Sequence, residues 1–160
     1  MNPAIPPAVA ALIGRPTTRT YLVTARDIKR FAQAIGERNP VHYDEQFARN
    51  TAHGGIVAPP LFCQSLTYED VPPEELGADG SPREINLPID ATRTVGGGSQ
   101  YTVHRLVRAG EWITVTSELR DVRTKQGRSG VLYLIDVETR FSDAGGQPVA
   151  TELATYIKRT

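Results

Sequence analysis

From residue 112 onward apolar side chains recur at nearly every second position, and this rhythm limits the possible folds more than any other feature of the chain. In 112–122 (WITVTSELRDV), Ile113, Val115 and Leu119 fall on one side and Thr114, Thr116 and Glu118 on the other. The run 131–141 repeats the pattern at Val131, Tyr133, Ile135, Val137, Thr139 and Phe141. The segments KQGRSG and DAGGQP separate the runs as glycine-rich turns, 149–158 forms a last strand, and 99–107 alternates in part. Period-2 runs joined by short turns predict an antiparallel meander with one buried face.

The N-terminal half has a different period. After a short strand at 19–23, Thr24 and Asp27 stand in capping-box positions, and Ile28, Phe31, Ala32 and Ile35 follow at helical spacing. Gly36 suits the end of this helix and Pro40 forbids its continuation, so residues 37–42 leave it as a loop. One or two short helical turns at 44–50 come next. Pro59 and Pro60 then open a second helix whose stretch 61–66 is apolar enough to be buried. The acidic, proline- and glycine-rich stretch 67–88 reads as a long surface loop. Residues 1–18 read as a lead-in, and 1–160 as a single domain. The order strand, helix, buried helix and long strands gives an α+β fold: a hot-dog, with a curved antiparallel sheet wrapped around a central helix. Its open edges call for pairing, so a dimer is expected.

Composition narrows the function. The 160 residues carry 18 basic and 18 acidic side chains, a balance that excludes a basic nucleic-acid binder. The single cysteine, Cys63, rules out an intrachain disulfide and a cysteine-built metal site, and fits a cytoplasmic protein. No apolar run is long enough to span a membrane. Cys63 reads as a small core residue and Ser65 lacks a nucleophile elbow. Gly96, Gly97 and Gly98 lack the helix and lysine of a phosphate loop and mark a strand start or a close backbone approach. Arg120, Arg123, Lys125 and Arg128 gather on one hairpin, either as a solvated surface or as a match for phosphates.

Three histidines are available for proton chemistry: His42, His53 and His104. His53 reads as a loop residue and His104 as one with a cross-strand partner. His42 follows Glu37 by five residues, with Asn39 between them. A helix exit stiffened by proline can turn an acid and an imidazole toward one point, a pair suited to moving protons and holding a water. The same residues also make an ordinary polar helix exit, and spacing alone leaves both readings open.

The stretch 31–66 resembles the hydratase motif of the MaoC-like family, the R-specific enoyl-CoA hydratases and 3-hydroxyacyl dehydratases. The motif is an acid, any residue, Asn-Pro, an aliphatic residue and His, here Glu37, Arg38, Asn39, Pro40, Val41 and His42, with Asp44 beyond. LIGR, GGIVAPPLF, VGGGSQYTVHRLVRAGEWI and GRSGVLYLIDVETRF extend the likeness, most closely to the N-terminal MaoC dehydratase domain subgroup. The resemblance implies a reversible syn addition of water to a 2-enoyl thioester of coenzyme A or an acyl carrier protein. Glu37 and His42 would be the acid/base pair and Asn39 the water positioner, with no metal or redox cofactor. Backbone at Gly55, Ile56, Ala58, Gly97 and Gly98 would meet the substrate. A homodimer, or a heterodimer with a second MaoC-like chain, is implied.

The sequence departs from the family pattern at two points. Glu37 stands where aspartate is usual, which moves the carboxylate by about 1 Å, a displacement that can cost about a hundredfold in rate. Ala58-Pro59 replaces the His-Gly whose backbone N–H would hold the thioester oxygen, and proline has no N–H. The donor must then come from elsewhere, such as the backbone of residues 56–58. Alternatively the chain is the non-catalytic, acyl-binding half of a heteromeric dehydratase, although that half usually lacks the histidine kept here. A hot-dog thioesterase is the weakest reading, because 61–66 offers no acid.

Overall fold

The computed structural model describes residues 4–68, 71–76, 87–89, 91, 93–128 and 130–159. Five antiparallel strands form one sheet: β1 (Pro16–Leu22), β2 (Arg93–Val103), β3 (Trp112–Gly127), β4 (Gly130–Asp143) and β5 (Pro148–Arg159), in the spatial order β1-β3-β4-β5-β2. The alternation in β3 and β4 places Ile113, Val115, Ile135 and Phe141 on the inner face, all buried. In β3 the register with β4 shifts between Leu119 and Asp121, so the inward set passes from odd to even positions and Val122 points in. A β-bulge of this kind re-aims a strand without ending it.

Helices occupy the inner face. α1 (Pro7–Ala10) is a single turn, α2 (Ala25–Ala34) is the longest helix, and α3 (Glu45–Arg49) is short. The expected capping box of α2 is formed. The Thr24 hydroxyl accepts from the Asp27 N–H, and the Asp27 carboxylate accepts from the Thr24 N–H. Ile28 and Ala32 are buried against the sheet, while Ile35 is exposed at the helix end. Gly36 closes α2 with φ of +72°, a left-handed conformation that glycine adopts without strain.

Three expectations need correction. The central helix is a 3-10 helix, Phe62–Thr67, with Phe62 and Cys63 buried but Leu61 48% exposed. Its approach is set by i to i+3 bonds, Phe62 N–H to Pro59 O and Gln64 N–H to Leu61 O, since prolines at 59 and 60 supply no N–H for a wider ladder. Residues 1–18 are more than a lead-in: α1 buries Val9 completely and β1 begins at Pro16. Within 67–88 there is a 3-10 turn, Pro73–Glu75, while 69–70 and 77–86 lie outside the described residues. Among the described residues no helix is long and apolar enough to cross a membrane.

Candidate active site

The segment leaving α2 folds back on itself. Asn39 Oδ1 accepts from the Val41 N–H at 3.1 Å, capping a 3-10 turn (Pro40–His42) that Pro40 starts. The Tyr43 hydroxyl donates to the Glu37 carbonyl at 2.6 Å and straps the exit of the turn to its start. Asp44 then caps α3 by accepting from the Phe47 N–H. A six-residue stretch is thereby held by its own polar groups.

His42 is 5% exposed, and its Nδ1 lies 2.6 Å from the Val57 carbonyl oxygen. A carbonyl only accepts, so Nδ1 carries the proton and donates, leaving the lone pair of the neutral ring on Nε2. Val57 is itself fixed by an antiparallel bridge to Arg108, flanked by bonds from Ala58 N–H to Val107 O (2.8 Å) and from Ala109 N–H to Ile56 O (3.0 Å). In such a pair the residues directly opposite point their own polar groups away from each other. The Val57 carbonyl and N–H therefore both turn toward the His42 side, and no partner for that N–H occurs among the described residues.

Glu37 uses its extra methylene locally. Its Oε1 accepts from the Arg38 N–H at 2.7 Å and the Asn39 N–H at 2.9 Å. The Asn39 bond and then the Arg38 bond hold the carboxyl below the usual glutamate range, and the nearby His42 ring lowers it further. Glu37 is thus a fixed anion with Oε2 free of these bonds. Glu37 and His42 interact electrostatically across the turn, and the Asn39 side chain is oriented by the Val41 N–H.

The other expected contacts are divided. Gly55 precedes the bridge strand, and Ile56 is buried with its carbonyl bonded to Ala109. The Ala58 N–H is committed to Val107, so it is no free donor, and Pro59 has none. Gly97 and Gly98 lie at a bulge of β2, with Gly98 opposite Thr155 of β5. Within the 56–58 backbone offered as a donor, Val57 is the residue whose N–H is left without a partner among the described residues, and the bridge to Arg108 is what turns it away from Arg108.

The remaining candidates have ordinary partners. His104 Nε2 lies 3.2 Å from the Thr151 hydroxyl across the strands, and the His53 N–H donates to Thr51 in a loop. Arg120 pairs with Glu118 and Glu138, and Arg123 with Asp136 and Asp121. Burial pushes the Cys63 thiol up to about 11, so it stays protonated at neutral pH.

Residues 11–152 match the family described as FAS1-like, dehydratase domain region. The chain belongs to this family. A UPF0336 protein of Streptomyces griseus is 32% identical, with 93% of each chain covered. The ChsH1-ChsH2 complex from Mycobacterium tuberculosis contains a chain 28% identical with a TM-score of 0.72, covering 96% of this chain and 94% of that one. The (R)-hydratase from A. caviae involved in PHA biosynthesis superposes with a TM-score of 0.64 at 19% identity, over 90% of this chain and 94% of that one, and so shares the fold. The expected MaoC-like hot-dog is the fold of this family member.

Proposed function

We propose that the chain is a hydro-lyase that adds water reversibly to a 2-enoyl thioester, giving an (R)-3-hydroxyacyl thioester carried on coenzyme A or an acyl carrier protein. The observation that carries this reading is the His42–Val57 hydrogen bond, which leaves Nε2 as a base beside a fixed carboxylate. A water held between Glu37 Oε2 and His42 Nε2 gives one proton to Nε2 as its oxygen bonds C3. The C2=C3 electron pair moves toward the thioester oxygen, which the free Val57 N–H receives as enolate charge develops. As the enolate collapses, C2 takes the proton back from the His42 imidazolium. Both additions come from the side occupied by the water and the ring, so the addition is syn.

The roles in the pair differ. Glu37, held as an anion by two backbone N–H groups, orients the water and stabilises the imidazolium, while His42 moves the proton. The oriented amide of Asn39 offers the water a donor. This chemistry calls for no metal or redox cofactor. A cytoplasmic setting and a dimer, with itself or with a second MaoC-like chain, complete the reading.

A second reading has a specific observation in its favour. The Ala58 N–H is consumed and Pro59 has none, which suits a non-catalytic, acyl-binding subunit whose partner supplies the full site. The membership of a 28% identical chain in a two-component complex supports the same reading. The two readings part in one assay, the loss of enoyl-thioester absorbance with the purified chain alone. Activity that falls at least about a hundredfold in His42→Ala and Glu37→Gln supports the hydro-lyase. Inactivity alone, restored by a second MaoC-like chain and untouched by His42→Ala, supports the subunit. Full activity of His42→Ala on its own excludes the site as drawn.

A further inference from the structure

Two clusters of buried apolar side chains share the inner face of the sheet. One gathers Ile113, Val115 and Phe141 with Ile28 and Phe62, and the other gathers Val122 and Ile135 with Val9. A polar row keeps them apart. Ser117, Thr139, Glu152 and Tyr101 lie in register across β3, β4, β5 and β2. If this row served packing alone, valine or leucine would fill it and join the two clusters. Buried polar groups are costly unless they are paired.

The row is satisfied at one end only. The Ser117 and Thr139 hydroxyls bond to each other at 3.2 Å. Glu152 is 8% exposed, and its Oε1 accepts from Gln64 Nε2 of the central helix at 2.8 Å. No donor reaches its other oxygen among the described residues. Tyr101 directly faces Glu152 across the strands, and its buried hydroxyl lies beside the Cys63 sulfur, a weak acceptor, with no oxygen or nitrogen partner among the described residues. A phenol held only by a weak sulfur acceptor and a carboxylate with one oxygen unbonded among the described residues thus belong to paired positions of neighbouring strands.

We propose that Tyr101, Glu152 and Gln64 form a polar subsite for a hydroxyl group carried on the acyl chain of the thioester ligand. A hydroxyl answers both vacant functions, accepting from Tyr101 and donating to Glu152. A bare methylene chain answers neither. Gln64 is five residues beyond Pro59, on the order of 10 Å at the roughly 2 Å rise per residue of a 3-10 helix. The recognised hydroxyl thus sits well down the chain from the reacting carbons. The subsite rests on the acyl-thioester reading, which supplies the ligand, and extends it to a substrate class.

Calorimetric titration with decanoyl-CoA and with decanoyl-CoA bearing a terminal hydroxyl tests the proposal without relying on turnover. The expected result is at least about tenfold tighter binding of the hydroxylated chain by the wild type, one good hydrogen bond's worth. Tyr101→Phe and Glu152→Gln should abolish that preference while still binding decanoyl-CoA. Tyr101→Phe should also melt no lower than the wild type, because it removes a buried hydroxyl held only by a weak sulfur acceptor. Equal affinities in the wild type, or a preference for the plain chain, overturn the subsite and leave the acyl-thioester reading standing. Binding of neither chain overturns both.

Discussion

His42 depends on a carbonyl fifteen residues away in sequence, and Glu37 on the two N–H groups that follow it. The geometry is therefore set by backbone groups as much as by the two titratable side chains. Tyr43 is the most exposed to test, since its hydroxyl alone ties the end of the turn to the Glu37 carbonyl. Tyr43→Phe should lower kcat for hydration with KM little changed, and should cost about 1 kcal/mol in urea unfolding, the net value of one neutral hydrogen bond. Acid should act through Glu37 and Asp143. Asp143 is held low by the Gln147 N–H and then by Arg105, as Glu37 is by Asn39 and Arg38. Both folded values lie below the unfolded ones. The stability they lend is complete above the ordinary carboxylate range and is lost as pH falls through the lowered values. Carbon-13 titration of the side-chain carboxyls should show both titrating below the ordinary range of their residue types, and melting temperatures should fall over the same interval. At this scale the acid, the amide and the histidine were legible as types and spacing. Val57 was legible only as part of the backbone stretch 56–58, and Tyr43 not at all, because its bond belongs to a turn that exists only once folded.

Among the elements, β2 shows how glycine hides a strand. Residues 93–98 contribute a strand with almost no side-chain rhythm, so alternation finds only its later part, whereas the strand begins at Arg93. Its bulge between Gly96 and Gly98 makes Gly97 indispensable: a Cβ there would meet the Thr155 carbonyl oxygen at 3.0 Å and Thr155 Cγ2 at 3.1 Å. Gly97→Val should lower stability by about 1–3 kcal/mol through overpacking of the β2–β5 pair. Gly96→Ala, which meets open space, is the control in the same thermal melts. The capped helix and the long strands were readable because capping and alternation are local. The 3-10 character of the central helix was not, since it follows from i to i+3 bonds that form once two prolines withhold their N–H groups. The shift at Leu119 was equally invisible, because a bulge preserves composition while exchanging faces.

Over the whole molecule the first residues take on a role that their proline-rich composition concealed. Val9 is fully buried among Val122, Ile135 and Leu87, with Leu12 and Ile13 packed beside it. Val9→Ala should cost about 2 kcal/mol by chemical denaturation, the order expected for losing most of a buried valine side chain. Glu37 and His42 should keep their mutual geometry in that variant, because the cluster they border is the other one. The polar row between the two clusters has a consequence for how such a chain can change over time. A row that is polar from Ser117 through Glu152, and that joins the first cluster only through the Tyr101 ring, works as a firebreak. Substitutions that repack the half under α1 need not propagate into the half that carries the histidine. The first half can drift or be redesigned for stability while the chemistry on the second stays still.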